Sequence, residues 1–310
     1  MDAKNKKLRI AMPAWEIGRV QTGLGTKIGG LGMIVEELPA ELVKAAEKQD
    51  INLEIEVLTP CFAHYDKSRL TNTELLIPVT IEGNTFGFEV YKHTFSDGQT
   101  VIYFWDEWTL NWTNDKSIYP DDPVMAFKVY AAVSQAMAGY IRQGDFDTIH
   151  SHDYHVGLIP FYLGDEYLST VPHHFTIHNA SYQGLIPALG NGFEHLWDVN
   201  LPGDLLYHKY FDYFGVINMM RAVMLKTHET GGKITTVSGD IEASWGYVAE
   251  LKMSRSEVWA KAIVQKGSDN IGEVFMPNQN LNLFEWMPII GITNGMSDNR
   301  IKASTSFGSV

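Results

Sequence analysis

Apolar residues follow two different periods, and the two alternate along the chain. Leu8 to Ala14 is a short apolar run that predicts a first strand. From Gly32 to Lys48, Ile34, Val35, Leu38, Leu42, Val43 and Ala46 recur near helical spacing and predict a helix, which Pro39 should kink or split. Ile51 to Leu58 alternates apolar and polar residues and predicts a strand. The stretches LLIPVTIEGN, FGFEVYKHTF and TVIYFWDE then predict antiparallel strands, with a turn at Gly83-Asn84. They read as a small β insertion near residues 75–105, at one side of the main sheet. Val124 to Ile141 predicts a helix.

The second half returns to the same rhythm. Strands are predicted over Asp147 to His152, His174 to His178, Lys233 to Ser238 and Met287 to Thr293. Helices are predicted over His155 to Tyr167, Phe211 to Lys226 and Ser256 to Lys266, and Gly267 to Asn282 reads as loop. Strands alternating with helices imply an α/β fold with a doubly wound, mostly parallel, Rossmann-like sheet.

Composition narrows the function classes. The 310 residues are 45% hydrophobic and 20% charged, the balance of a globular chain large enough for a substantial core. The net charge of −13 and the lack of a basic cluster argue against nucleic acid as a partner. No apolar run approaches the ~20 residues of a membrane span, and no apolar stretch follows the lysines of MDAKNKKLRI as in a signal peptide. The only cysteine, Cys61, excludes an internal disulfide and fits a cytoplasmic setting.

Two features carry candidate chemistry. Lys27-Ile28-Gly29-Gly30-Leu31-Gly32 stands directly before a helix. Glycines let a backbone approach a phosphate, the helix start offers N–H groups, and Lys27 adds a cation. The spacing is neither a Walker loop nor a dinucleotide fingerprint, and a flexible loop feeding a helix is the simpler alternative. The second feature is the run of six histidines between His150 and His178. His150 and His152 share a strand face, and Asp153, His155, His178 and Asn179 fall at strand ends, where open α/β sheets bind ligands. Buried core histidines would explain single members of the set. A zinc site on His150, His152 and either Asp153 or His155 is a further alternative. Asp121 and Asp122 either complement the dipole of the helix they begin or meet a sugar hydroxyl. Trp105, Trp108 and Trp112 either pack in the core or stack on sugar rings.

In order along the chain, KIGGLGMIVEELP, IHSHDYHVGLIPFYL, FTIHNASYQGL, ITTVS and GITNGMSDN resemble five motifs of the glycogen and starch synthases, glycosyltransferase family 5. The resemblance runs from Leu8 to about Asp298. It implies the N-terminal half of a GT-B glycosyltransferase, with an active site between two Rossmann-like domains. The implied activity moves glucose from ADP- or UDP-glucose to the non-reducing end of an α-glucan, with retention and without a metal or other cofactor. It also implies site residues. Lys27, Gly29, Gly30 and Asn294 would meet the donor, while His155, Asp122 and His152 would serve catalysis. His178, Asn179, Tyr182 and Gln183 would lie close to the acceptor.

The chain departs from the family pattern at several points. Met33 replaces an aspartate of the signature, and Ser297 another, with Asp298 adjacent. EIGRVQTGLGT before Lys27 is longer than in bacterial enzymes. The family's nucleotide-binding C-terminal domain would follow Asn294-Gly295, where this sequence ends in RIKASTSFGSV. Residues 1–310 thus read as an N-terminal catalytic domain, expected to be inactive alone and to need that second domain or a partner on the exposed face, including a second copy. The rival readings are a non-catalytic glucan-binding or regulatory module with a decayed donor site, and a metal-dependent hydrolase.

Overall fold

The computed structural model describes residues 7–187, 193–213, 215–239, 247–248 and 287–292. In chain order, β1 (Leu8–Pro13), α1 (Gly30–Glu47) and β2 (Leu53–Pro60) are followed by β3 (Thr71–Ile81), β4 (Asn84–Thr94) and β5 (Thr100–Trp105). A single turn, α2 (Glu107–Leu110), precedes α3 (Pro123–Gln143) and β6 (Thr148–His152). Next come α4 (Ile159–Leu168), β7 (His173–Ile177), β8 (Leu185–Pro187), α5 (Phe193–Asp198) and α6 (Gly203–Leu206). The described chain closes with β9 (Asp212–Tyr213), β10 (Val216–Asn218), α7 (Met219–Glu229), β11 (Ile234–Thr236) and β12 (Ile289–Gly291).

Among the described residues, nine strands form one sheet in the order β12-β11-β7-β6-β1-β2-β5-β4-β3. Every pairing from β12 to β5 is parallel. The chain leaves β1 toward β2 on one side and later returns to β6 on the other. The sheet order therefore reverses between β1 and β6, where open α/β sheets form a ligand crevice. Buried side chains of the central strands, such as Met12, Val57, Ile102 and Ile149, form the core with α3, whose residues from Val129 to Ser134 are all buried. No helix among the described residues is long and apolar enough to cross a membrane.

Several expectations are corrected. The β segment is not a self-contained antiparallel insertion. Its third strand, β5, pairs in parallel with β2 inside the main sheet, and only the β3–β4 hairpin is added antiparallel at the edge. Pro39 does not split α1, which runs unbroken through it. The carbonyl of Val35, which loses its helical donor to the proline ring, accepts from Gln99 Nε2 at 3.2 Å instead.

The helix predicted from His155 is a 3-10 turn at Tyr154–Val156 followed by α4, and Gly164, at φ 72°, breaks α4 internally. The helix predicted from Phe211 starts only at Met219. Before it, Gly215 at φ 83° lies between β9 and β10, and the Asn218 side chain caps α7 by accepting from Arg221 N. β8, β10 and β9 form a small antiparallel sheet that the sequence pattern did not reveal. The predicted helix Ser256 to Lys266 and loop Gly267 to Asn282 lie outside the described residues.

Candidate active site

The parallel strands deliver their C-terminal ends to one cleft of about 1250 Å³. Glu16 follows β1, Asp153 and His155 follow β6, His178 and Asn179 follow β7, and Val237 and Ser238 follow β11. The glycine loop, through Ile28, Gly29, Gly30 and Leu31, forms part of the same wall. Tyr119, Pro120 and Asp121 lie ahead of α3 on the lining, and Tyr182, Gln183 and Leu185 enter from the small sheet's side.

The glycine loop is held by a residue that no motif singled out. Glu16 is buried, and its carboxylate accepts from the N–H groups of Ile28 at 2.9 Å and Gly32 at 3.3 Å. Burial raises its pKa, while the Ile28, Gly32 and Gly29 N–H groups and the Tyr119 hydroxyl act in the opposite direction. Part of the donor set expected for a phosphate is thus already bound to a carboxylate of the chain. Gly30 differs from its neighbours. No atom of the described residues would lie within 4 Å of a Cβ added there, and its φ is outside the left-handed region, so nothing among them requires glycine at that position.

Burial dominates the histidines. His155 is pushed down to about 3 by desolvation and then by His178, and His178 to about 3 by desolvation and then by His150. His152, fully buried, is held well below the ordinary imidazole range by the same cause. All three are neutral imidazoles at pH 7. His155 stacks on Tyr154, with ring centroids 3.9 Å apart, and lies against Trp15, Tyr119 and Tyr130. Its buried Nδ1 has no hydrogen-bond partner among the described residues. Asp153 leaves β6 at φ 66°, and burial raises its carboxyl to about 7. An unpartnered imidazole nitrogen and a carboxyl that titrates near neutrality can hydrogen-bond a polar ligand without a fixed full charge.

The other expected residues fall in different places. His152 does not line the cleft; its Nδ1 meets His178 Nε2 at 2.9 Å, so it contacts the lining through His178. His150 Nε2 pairs with Thr176 Oγ1 at 2.7 Å. Among the described residues no three histidine, cysteine or acidic side chains are grouped to hold a metal ion. Asp122 caps α3, accepting from Met125 N at 2.7 Å, and it is Asp121 that lines the cleft. Lys27 is exposed beside the lining loop and is not part of the lining. Tyr182 is exposed at the cleft, and the Asn179 side chain accepts from Ser181 N at 2.9 Å. Gln183 is buried, donating to Ala180 O and accepting from Asn218 Nδ2, which ties the cleft wall to the start of α7. Asn294 lies outside the described residues.

Comparison with known proteins identifies the family. Residues 9–242 match the family model described as the starch synthase catalytic domain. Glycogen synthase 2 of Geobacter sulfurreducens is 33% identical over 127 residues, which are 39% of this chain and 24% of that protein. A glycogen synthase of Desulfitobacterium hafniense is 25% identical over 222 residues, 68% of this chain and 43% of that one. A cell wall alpha-1,3-glucan synthase of Schizosaccharomyces pombe is 26% identical over 240 residues, 75% of this chain and 10% of that one. The chain thus spans less than half the length of each of these relatives.

Among solved structures, the catalytic domain of starch synthase IV from Arabidopsis thaliana, bound to ADP and acarbose, superposes with a TM-score of 0.67 at 19% identity. The match covers 95% of this chain and 53% of that one, and it shows a shared fold. With a family model matched over most of its length, the chain belongs to the starch synthase catalytic domain family of glycosyltransferases.

Proposed function

We propose that this chain is the N-terminal catalytic domain of a glycogen or starch synthase type glucosyltransferase. It takes glucose from ADP- or UDP-glucose and adds it to the non-reducing end of an α-glucan with retention. The observation that carries the reading is Gly30, a glycine on the cleft wall that no contact among the described residues requires. A close-approaching ligand is what such a position serves.

In the reaction, the bond from the sugar's C1 to the diphosphate breaks as an acceptor hydroxyl attacks C1 from the same face, the sugar passes through an oxocarbenium-like state, and the hydroxyl's proton leaves on the departing diphosphate. His155 and His178, kept neutral by burial, place no positive charge against that developing cation. The Gly29–Gly30 backbone and Lys27 serve the donor, with Asn294. His178, Asn179, Tyr182 and Gln183 serve the sugar and acceptor side. Asp122 and His152 act as positioning residues, through the start of α3 and through His178. The departing diphosphate needs further cations, which a second GT-B domain would supply. Each missing preorganised charge-stabilising group costs roughly 10²–10³ in rate. The reading needs no metal or other cofactor.

A second reading, a glucan-binding module with a decayed donor site, is favoured by Met33, which offers neither charge nor hydrogen bond where the family signature has aspartate. One experiment separates the two. The chain, alone and fused to the C-terminal domain of a relative, is given ADP-glucose or UDP-glucose with maltotriose, and the anomeric configuration of the product is read by NMR. Transfer with retention by the fusion only, abolished by His155→Ala, is expected. A fusion that binds glucan and transfers from neither donor would establish the module reading.

A further inference from the structure

The aromatic segment after β5 divides in the structure. Trp105 is half-buried, with the Lys67 ammonium 3.9 Å from its ring centroid. Trp108 and Trp112 remain 50% and 40% exposed. They are one helical turn apart, because the helical path of α2 continues through Asn111, whose N–H donates to Glu107 O at 3.1 Å. Four residues of helical rise set the two side chains about 6 Å apart along the axis and on the same side, a spacing comparable to one glucose unit.

The orientation of Trp112 is the reverse of an ordinary exposed tryptophan, which keeps its ring inside and its N–H in water. Its Nε1 donates inward to Thr109 O at 2.7 Å, so the exposed area is ring. Trp108 is backed by Phe86 of β4, with ring centroids 5.5 Å apart. The platform is rigid from beneath. Asp106 accepts from both the backbone N–H and the hydroxyl of Thr109, and Thr113 Oγ1 donates to Leu110 O and accepts from Ala63 N. The other exposed residues of the segment from 107 to 116 are all polar, namely Glu107, Asn111, Asn114, Asp115 and Lys116. The Asn111 amide, between the tryptophans, has no hydrogen-bond partner among the described residues.

A protein-docking face would continue as an apolar core. Separate fixed rings set among amide and carboxylate groups instead fit a carbohydrate, whose C–H faces stack on aromatics and whose hydroxyls need planar polar partners. Position agrees with this. β5 runs parallel to β2 and β1, so its end faces the same way as the cleft. The ordered segment that carries the tryptophans continues through Ile118, whose carbonyl accepts from Trp15 Nε1, to Tyr119 and Asp121 on the cleft wall.

We propose that Trp108, Asn111 and Trp112 form a second α-glucan-binding platform, outside the cleft, that holds a long acceptor chain while its end is in the cleft. The choice of glucan as ligand rests on the acceptor class in the proposed function. The test is electrophoresis of the 310-residue chain in gels containing glycogen. The wild type is expected to be retarded. The Trp108→Ala/Trp112→Ala variant should bind glycogen roughly tenfold more weakly, the loss that about one aromatic stacking contact represents. Trp108→Phe/Trp112→Phe should retain most of the retardation, and His155→Ala, a cleft variant, should keep it.

A double alanine variant retarded like wild type, or a wild type not retarded at all, would overturn the platform. So would dimerisation that the double variant abolishes without a change in glycogen binding, since the patch would then belong to a second copy. The transferase reading fails separately, if the two-domain fusion moves no glucose to maltotriose, an acceptor too short to span both sites.

Discussion

Gln99 supplies the hydrogen bond that Pro39 takes away from Val35, at 3.2 Å from the carbonyl. Its other amide atom, Oε1, accepts from Arg19 Nε at 2.9 Å, so one side chain joins the start of β5, the long loop after β1 and the middle of α1. Gln99→Ala should cost about 1–2 kcal/mol in urea unfolding, because it leaves a carbonyl unpaired. In a Pro39→Ala background the restored N–H can serve that carbonyl, and the cost should shrink. Equal costs in both backgrounds would refute the pairing.

Glu16 should be tested by emptying its seat. Glu16→Ala leaves the N–H groups of Ile28 and Gly32 without their carboxylate and should destabilise the chain by roughly 1–3 kcal/mol. The vacated donors lie at the start of α1, where an anion is favoured. Inorganic phosphate should therefore raise the melting temperature of the variant more than that of the wild type, by scanning calorimetry.

Gly30→Ala separates binding from stability. A Cβ there meets no described atom within 4 Å, and alanine is the better helix former, so the melting temperature should hold or rise slightly. Transfer by the two-domain fusion should nevertheless fall at least tenfold. An unchanged rate would remove Gly30 from the donor site.

Acid should unfold the chain through its histidines. His155, His173 and His178, brought to about 3, and His152, well below its ordinary value, bind protons more readily when unfolded, with pKa near 6.5. The stability this gives is fully present above pH 6.5 and is lost as pH falls toward 3. Asp153 has the opposite sign. Its folded pKa of about 7 lies above the unfolded 3.8, so its contribution is present below pH 3.8 and lost as pH rises through 7. Four histidines outweigh one aspartate between pH 6.5 and 4, and stability should drop there on the order of a few kcal/mol per pH unit. Denaturant midpoints across that range check the sign, and His173→Gln, which keeps polar atoms for Thr227 and Ser151, should flatten the slope.

The sequence pattern was most informative where one period ruled a long segment, as in β1, α3 and β7. It failed where a single residue overrode the period. Phe211 to Lys226 has helical spacing, yet the positive φ at Gly215 and the Asn218 cap divide it into two short strands and a shorter helix. Gly164 does the same inside α4. At the cleft, the histidines and glycines stood out as motifs, whereas Glu16 lay in a stretch read only as an insertion. Its partners are twelve and sixteen residues away, beyond any local pattern. Trp108 and Trp112 were ambiguous because spacing places them on one side of a turn without saying whether that side meets water.

An open sheet is vulnerable at its margin, where unpaired backbone groups invite a foreign strand. On the outward side of β3, Gln135 donates to Thr80 O and accepts from Thr80 N, both at 3.0 Å, closing those groups as a neighbouring strand would. Two residues earlier on the same side, Pro78 has no N–H to offer, and beyond Leu76 the pairing register with β4 is broken as far as Asn72. Just past the strand, Glu82 N is taken by Asp198 O at 2.6 Å. At this edge a foreign strand meets few free backbone groups, so β3 is a poor template for extending the sheet.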